Sequence, residues 1–224
     1  MRLTLIRHGQ PQWTVDGKGQ NDPALSELGL AQAASLAGAL DVAPDRLLVS
    51  SMRRAMETVA PLENKWNISA TRLDWLREIR VPDRWHGAPV DWLEDQFRSA
   101  RDRSPEDWWD GLPGGESFRD FHQRVVSGLE ESLSAWGVIP ASHEQLWKVD
   151  SHGEHVVIVA HGGTNSTILA RMLNIDPVPW EWDRFAMDHA SLTSLVTAPV
   201  GQERVFSLDR HSDIRHLGGL EVTA

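Results

Sequence analysis

The chain has 224 residues, of which 41% are hydrophobic, so it can bury a substantial core. It contains no cysteine, which excludes disulfides, thiolate metal sites and cysteine nucleophiles. A formal net charge of −10 argues against nucleic-acid or acidic-membrane partners, although a few arginines could still form a pocket for a small anion. No linker or repeat interrupts the chain, and we expect one domain over residues 1–224. Without a signal-peptide pattern or a membrane-length apolar run, the expected location is the cytoplasm.

The first predicted elements are a strand and a helix. Residues 3–6 are apolar and run into Arg7 and His8. Strands of α/β sheets present functional groups at their carboxyl ends, so this strand is predicted to deliver both side chains to a crevice. After a polar loop, Ser26 is predicted to cap a helix whose apolar residues recur at helical spacing as far as Leu40.

A second strand is predicted at residues 46–49, with a helix after it. Ser50 or Ser51 is the expected cap, and Arg53 and Arg54 fall in the first turn. The helix dipole disfavours cations at this end. A bound anion, shared between the helix N-terminus and a guanidinium, would explain the arginines.

The rest of the chain continues the alternation of strands and helices. Residues 80–115, rich in Trp, Pro and Gly, are predicted to form an excursion or lid over the sheet edge. The predicted elements around it are a short strand at 68–73, a long helix that Ser117 caps, a polar segment at 140–154, a buried strand at 155–160, a helix at 163–173, and strands at 191–197 and 203–208. This order predicts a doubly wound α/β fold.

Three of the predicted strands end in side chains that suit a phosphate pocket. His8 follows the first strand and His161 follows the buried strand, while Arg54 comes shortly after the second. If these strands lie parallel in one sheet, their ends bring two histidines and at least two arginines together. A neutral histidine among guanidinium groups is a nucleophile placed beside a phosphate site.

Several motifs, in order along nearly the whole chain, resemble those of the histidine phosphatase superfamily, in the branch that contains cofactor-dependent phosphoglycerate mutases and small-molecule phosphatases. The matching segments are 5–10 (LIRHGQ), 22–33 (DPALSELGLAQA), 50–58 (SSMRRAMET), 77–79 (REI) with 85–87 (WHG), 114–117 (GGES) and 159–163 (VAHGG). The resemblance implies a phosphoglycerate-mutase-like three-layer α/β sandwich, in which helices flank a mostly parallel central sheet.

The resemblance also implies a mechanism and a set of site residues. The phosphoryl group would move from substrate to His8 and then to water, through a phosphohistidine, while Arg7, Arg54 and His161 hold the equatorial oxygens. Glu78 is the expected proton donor, in competition with Asp74 and Asp83; a carboxylic acid serves near neutral pH only when burial or a neighbouring anion favours its protonated form. Gly162 and Thr14 are the further phosphate-binding candidates. The scheme needs no metal and no cofactor.

Two departures from the family pattern favour a metabolite phosphatase over a mutase. Pro11, Trp13 and Thr14 stand where many mutases have a hydroxyl residue, an aromatic residue and Asn. His161 is followed by Gly162, so the acid is not the Asp of the acid-phosphatase branch. The alternatives are a cofactor-dependent phosphoglycerate mutase and a catalytically weak phosphate-binding regulatory module.

The remaining candidates concern the leaving group, metals and partners. Five residues are predicted to contact substrate beyond its phosphate: Gln20, Arg80, Arg84, Trp85 and His86. The other histidines, His189 and His211, are interpreted as structural or surface groups. His152, His155 and His161 do not have the spacing of a zinc site. The expected partner is a small phosphorylated metabolite, and an exposed aromatic surface near Trp180 and Trp182 could pair two copies into a homodimer.

Overall fold

A single large sheet lies at the centre of the computed structural model, which describes residues 1–143, 145–150 and 153–224. The strands are β1 (Arg2–Arg7), β2 (Thr14–Val15), β3 (Lys18–Gly19), β4 (Arg46–Ser50), β5 (Thr71–Leu73), β6 (Val138–Pro140), β7 (Trp147–Val149), β8 (His155–Ala160), β9 (Leu192–Val200) and β10 (Glu203–Asp213). The helices are α1 (Glu27–Ala39), α2 (Arg53–Trp66), α3 (Val90–Arg101), α4 (Phe118–Ala135), α5 (Gly162–Met172) and α6 (Glu181–Arg184). None of the helices in these ranges is long and apolar enough to cross a membrane.

The sheet has the strand order β5-β4-β8-β1-β9-β10-β7-β6. The first four strands are parallel, and the remaining pairings are antiparallel. The α/β fold class is confirmed, but the sheet is mixed and not mostly parallel, because two antiparallel hairpins, β9–β10 and β6–β7, extend one side. The polar segment predicted at 140–154 contains β7, whose Trp147 and Val149 point inward while Lys148 is exposed.

Alternating side chains of the central strands build two cores on opposite faces of the sheet. Leu3 and Leu5 of β1 pack into the core that α4 and α5 cover, while Ile6 packs into the core that α1 and α2 cover. β8 alternates in the same way, with Ile158 on one face and Val159 on the other. Because successive strand residues point to opposite faces, continuously apolar strands are the expected sequence of a sheet covered on both sides. The result is three layers.

Helix caps agree with the sequence at two of the three predicted positions. Ser26 accepts a hydrogen bond from the amide of Gly29, and Ser117 caps α4 in the same way. The prediction for α2 is wrong, because Ser50 ends β4 and the N-cap residue is Met52, which has no capping side chain. The carboxylate of Asp22, from the loop before α1, accepts from the amide of Arg53 at 3.0 Å. That carboxylate supplies an anion at this helix N-terminus.

The excursion at residues 80–115 carries α3 and two short 3-10 turns, Asp83–Trp85 and Asp107–Asp110. No residue of α3 is buried, although Leu93 and Phe97 line the cavity described below. Whether this segment moves as a lid stays a prediction. The aromatic residues expected at the surface are partly covered instead, since Trp180 packs edge-on against Trp108 and Trp182 against Phe118.

Candidate active site

The ends of three neighbouring parallel strands bring the sequence-predicted histidines together. Arg7, the last residue of β1, pairs with Ala160, the last residue of β8, so the residues that follow both strands are neighbours. The amide of His8 donates to the carbonyl of Ala160 at 3.0 Å. The imidazole rings of His8 and His161 lie 5.1 Å apart between centroids. The pairing register therefore builds the predicted crevice at the carboxyl end of the sheet.

The hydrogen bonds of His8 define its tautomer. Nδ1 lies 2.8 Å from the carbonyl oxygen of Gly9, which can only accept, so Nδ1 carries the proton. Nε2 accepts from Nε of Arg54 at 3.1 Å. Burial and the charges of Arg54 and Arg7 hold the pKa of His8 well below its usual value. A buried, neutral imidazole with its lone pair on Nε2 is the form that a nucleophilic histidine requires.

Two arginines carry their charge against this imidazole. Burial lowers the pKa of Arg54 to about 10, still far above neutrality, and burial also lowers the pKa of Arg7. Arg7 donates to the carbonyl of Met187, and Nη1 of Arg54 is 3.7 Å from the carboxylate of Asp22. Nε of Arg7 and Nη1 of Arg54 are buried and have no hydrogen-bond partner among the described residues. Both nitrogens are donors that an anion could satisfy.

His161 completes this cluster from the other strand. Its Nε2 lies 2.8 Å from the hydroxyl of Ser50, and that hydroxyl also accepts from the amide of Met52. Nδ1 is buried and has no partner in the part of the chain that the structure describes. Burial, and then the charge of Arg54, keep the pKa of His161 well below its usual value. With the Ser50 hydroxyl donating to Nε2, the neutral ring presents Nδ1–H as a further donor.

Glu78 is held next to the start of α5. Oε2 accepts from the amide of Gly163 at 2.9 Å, and Oε1 accepts from the amide of Ile79 at 3.0 Å. A Cβ atom on Gly163 would lie 2.6 Å from Oε1, so only glycine leaves room for the carboxylate. The second glycine after His161 is thus explained by the packing of Glu78.

A partly buried ion pair between Arg124 and Glu116 holds the backbone on either side of Glu78. Arg124 makes a two-point contact with Glu116, at 2.9 and 2.8 Å, and its Nη1 also donates to the carbonyls of Trp75 and Arg77. The Glu116 carboxylate accepts from the amide of Arg80. The bidentate geometry fixes direction as well as distance. Sequence reasoning treated Glu116 only as a family marker and missed Arg124.

Arg54 of this cluster and Glu78 line a cavity of about 930 Å³. Four further sequence candidates, Thr14, Gln20, Arg80 and Trp85, also line it. Two of the five residues predicted to contact the leaving group do not line it. Arg84 is exposed and donates to the carbonyl of Pro113, and His86 is also exposed. Gly162, the first residue of α5, packs beside the guanidinium of Arg7.

His189 was interpreted from the sequence as a structural or surface group, and the surface alternative is wrong. Its ring is buried and lies 5.4 Å from the ring of His8. Burial and then the charge of Arg7 lower its pKa to about 3. No local pattern in the sequence places His189 at the site, because it precedes β9, whose position beside β1 depends on pairing across the whole chain. Asp22 and Arg77, which also border the cavity, were not predicted as site residues.

Of the three histidines considered for a metal, the two that the structure describes lie at opposite ends of β8. His155 hydrogen-bonds Thr4 at 3.0 Å on the sheet, and His161 belongs to the cluster beside His8. His152 lies outside the described residues. Within the residues that the structure describes, no three His, Cys, Asp or Glu side chains are grouped as metal ligands would be.

The three-layer α/β fold brings histidine and arginine side chains together at the carboxyl ends of its parallel strands, an arrangement suited to binding a phosphate group. The profile of the histidine phosphatase superfamily (branch 1) matches residues 3–208, and the chain belongs to that superfamily. It is a phosphatase, a hydrolase of small-molecule phosphate monoesters.

Named relatives and a solved structure resemble it over most of their length. The chain is 33% identical to glucosyl-3-phosphoglycerate phosphatase of Mycobacterium tuberculosis over 186 residues, 80% of this chain and 78% of that protein. It is 30% identical to adenosylcobalamin/alpha-ribazole phosphatase of Salmonella typhi over 187 residues, 77% and 80% of the two chains. The structure of mycobacterial glucosyl-3-phosphoglycerate phosphatase with VO3 has a TM-score of 0.68 and 30% identity, covering 93% of this chain and 97% of that chain.

Proposed function

We propose that the enzyme hydrolyses its substrate in two displacements through a phosphohistidine at Nε2 of His8. In the first, the hydrogen bond from Nε of Arg54 to Nε2 breaks, the lone pair of Nε2 attacks phosphorus, the P–O bond to the leaving group breaks, and Glu78 gives the departing oxygen a proton. In the second, Glu78 takes a proton from water, the water oxygen attacks phosphorus, and the N–P bond breaks to release inorganic phosphate. Atoms and protons balance over the cycle, and both His8 and Glu78 return to their starting forms.

One observation carries this proposal: the lone pair of Nε2 of His8 sits within a group of buried nitrogens that have no hydrogen-bond partner among the described residues. These nitrogens are Nε of Arg7, Nη1 of Arg54 and Nδ1 of His161. A buried donor without a partner costs about 1–3 kcal/mol, so such a group is expected where a ligand provides the missing acceptors. A phosphoryl group has three equatorial oxygens that suit these donors.

The position of Glu78 in the site supports its role in proton transfer. Glu78 lines the cavity that Arg54 also lines, and its two backbone hydrogen bonds fix the carboxyl at the cavity wall. A bound phosphoryl dianion favours a neighbouring carboxyl that carries a proton. Asp74 and Asp83 also line the cavity, but Asp74 is engaged with the hydroxyl of Ser51. Glu78 is therefore the proposed acid and base.

The cavity supports a bulky leaving group with an apolar face. Its walls away from the arginines are largely apolar, and those residues are Trp13, Met52, Ile79, Val81, Trp85, Val90, Leu93 and Phe97. Glu94, Asp83 and Asp22 also border it, which disfavours a strongly anionic leaving group. A volume of about 930 Å³ exceeds what a glycerate fills and suits a group of nucleoside or disaccharide size. The relatives' names include a ribazole and a glucosyl substrate, which are of that size.

The proposal has three further parts: the substrate is a small phosphorylated metabolite, the enzyme is located in the cytoplasm, and residues 80–115 act as a lid. The apolar face of α3 at Leu93 and Phe97 would cover the leaving group, and the cysteine-free composition suits a reducing compartment. The phosphoglycerate mutase alternative is less well supported, because Thr14 stands where many mutases have an Asn whose amide would bind phosphate, and the cavity wall carries carboxylates.

The first test measures hydrolysis of 1-naphthyl phosphate and of 3-phosphoglycerate in excess EDTA. The second stops the reaction rapidly without acid and detects acid-labile phosphate bound to the protein. We expect turnover of the naphthyl ester, a phosphorylated intermediate in the wild type, and neither in His8→Ala. Undiminished hydrolysis by His8→Ala would overturn the mechanism. Isomerisation of 3-phosphoglycerate with a bisphosphorylated primer would identify a mutase, and phosphate binding without any turnover would identify a regulatory module.

A further inference from the structure

His189 is a buried imidazole beside the nucleophile that the mechanism above does not use. Its ring is 3% exposed and lies 5.4 Å from the ring of His8. The amide of Ala190, the next residue, donates to the carbonyl of His8 at 3.1 Å, so the two backbone segments are joined directly. Nε2 of His189 is buried without a hydrogen-bond partner among the described residues. The ring thus faces the same local environment as Arg7, Arg54 and His161.

The other nitrogen of this ring is held by the C-terminal segment of residues 221–223. Nδ1 of His189 lies 2.9 Å from the hydroxyl of Thr223, and the amide of His189 donates to the carbonyl of Thr223 at 2.8 Å. On the opposite side, the side-chain amide of Gln32 in α1 donates to the same hydroxyl at 3.4 Å and to the carbonyl of Glu221 at 3.0 Å. Thr223 is therefore clamped between α1 and His189.

The backbone amide of Gln10 determines which groups donate and which accept in this series of hydrogen bonds. The backbone amide of Gln10 can only donate, and it lies 2.8 Å from Oε1 of Gln32. That contact orients the Gln32 amide so that its NH2 group faces Thr223. The Thr223 hydroxyl accepts from this NH2 group, and its own proton remains available for Nδ1 of His189. An imidazole that accepts at Nδ1 carries its proton on Nε2.

We propose that His189 is a further phosphate-binding residue, whose Nε2–H donates to a phosphoryl oxygen during the reaction at His8, and that Thr223 and Gln32 are positioning residues that set its tautomer. The inference deepens the proposed function and rests on it. Two buried imidazoles, His161 and His189, then flank the nucleophile in the same way. Each has a hydroxyl at one nitrogen, and the other nitrogen has no hydrogen-bond partner among the described residues.

The electrostatic surroundings agree with a neutral donor. Burial, followed by the charge of Arg7, lowers the pKa of His189 to about 3, so the ring carries no charge at neutral pH. The carboxylate of Asp188, the preceding residue, is engaged with the hydroxyl of Ser212 at 3.1 Å. A third cation close to the two arginines would be costly, whereas a neutral N–H adds a directional donor without further repulsion.

The test compares variants that keep or remove one donor at a time. His189→Leu removes the ring nitrogens and His189→Gln keeps an N–H donor, while Thr223→Val removes the hydroxyl that Thr223→Ser retains. The matched control is Val222→Ala, at the exposed neighbour of Thr223. For each protein, kcat and KM for 1-naphthyl phosphate and the Kd of inorganic phosphate by calorimetry are measured. Nitrogen-15 spectra of histidine-labelled protein report the tautomer of His189.

We expect His189→Leu to lower kcat/KM and phosphate affinity by roughly 10-fold to 100-fold, and His189→Gln to recover most of the loss. Thr223→Val should lower kcat about 10-fold and shift the His189 tautomer, while Thr223→Ser and Val222→Ala stay near wild type. Wild-type kinetics within twofold for His189→Leu, or a proton found on Nδ1 of His189, would overturn the inference. If the wild type failed to turn over, the proposed function would fall, and phosphate affinity would still decide the role of His189.

Discussion

Nε of Arg54 donates a hydrogen bond to Nε2 of His8 over 3.1 Å, although the two residues are 46 positions apart in the chain. Thr58, one helical turn after Arg54, maintains this contact: its hydroxyl donates to the Arg54 carbonyl at 2.7 Å and accepts from the amide of Gly9 at 3.0 Å. Helix α2 and the end of β1 are therefore joined on both sides of the pair. The atom proposed to attack phosphorus and the charge proposed to stabilise the transition state are placed by one short network.

The first prediction is that Arg54→Lys lowers kcat on 1-naphthyl phosphate by about 10², or about 3 kcal/mol of transition-state stabilisation. Lysine keeps the charge but cannot contact Nε2 of His8 and a phosphoryl oxygen with one planar group. Steady-state kinetics at saturating substrate provide the measurement. Arg53→Lys is the matched control, since Arg53 is exposed and pairs with Glu57. Equal losses in the two variants would refute the role of Arg54.

The second prediction concerns the space that Gly163 leaves for Glu78. Gly163→Ala would place Cβ 2.6 Å from Oε1 and 3.2 Å from Cδ of Glu78, so the carboxylate must move away from α5. We expect kcat/KM, which reports the first displacement, to fall by about 10- to 100-fold for alkyl phosphates, because their leaving oxygens need a proton. The kcat/KM for 4-nitrophenyl phosphate should fall much less, since nitrophenolate leaves without one, although its kcat also falls where hydrolysis of the phosphohistidine limits turnover.

Two comparisons make that result specific to proton transfer. Glu78→Gln should show the same dependence on the leaving group, because it removes the proton and leaves the size of the side chain. Gly219→Ala adds a methyl group where nothing lies within 4 Å, and should have wild-type kinetics with both substrates. If Gly163→Ala lowered kcat/KM for both classes equally, the loss would reflect general distortion of the site and the prediction would be wrong.

The sequence was sufficient for the parts of the site that short, local patterns encode. The apolar run before His8 and the one before His161 predict strands, and parallel pairing of those strands then forces their ends together. Ser26 and Ser117 are found as caps because the capping residue and the amide that it accepts are three positions apart. The order of the motifs adds Arg54 and Glu78, whose positions no periodicity reveals.

The parts that could not be predicted depend on contacts between distant segments. His189 reaches the site only because β9 pairs with β1 and the segment of residues 221–223 returns to α1. Asp22 replaces the expected serine cap of α2 from a different loop. The Glu116–Arg124 pair joins the end of the excursion to α4, and only the folded chain shows that it holds the backbone around Glu78. Each of these side chains is common on protein surfaces, so composition gives no signal.

The third prediction concerns stability in acid. The pKa values of His8, His161 and His189 are lowered in the folded protein, so below about pH 6.5 the unfolded chain binds protons that the folded protein does not. The free energy of unfolding therefore falls as pH decreases, by about 1.4 kcal/mol per pH unit for each such histidine. Urea unfolding at pH 7, 6, 5 and 4 provides the measurement. His189→Gln should reduce the slope between pH 6 and 4 by about that amount, and an unchanged slope would contradict the prediction.

The fourth prediction concerns the close approach of α1 to the end of β1. A Cβ atom on Gly29 would lie 2.0 Å from the carbonyl oxygen of Gln10, and one on Gly9 would lie 2.5 Å from the carbonyl oxygen of Gly29. Both obstacles are backbone atoms, so a larger residue must separate the helix from the strand that carries His8. We expect Gly29→Ala to lower the free energy of unfolding by about 3 kcal/mol in urea titrations. Gly38→Ala, in the same helix with open space around it, should be neutral or stabilising by up to about 1 kcal/mol. Similar values for the two variants would show that the contact between α1 and the β1 end is not close enough to require glycine.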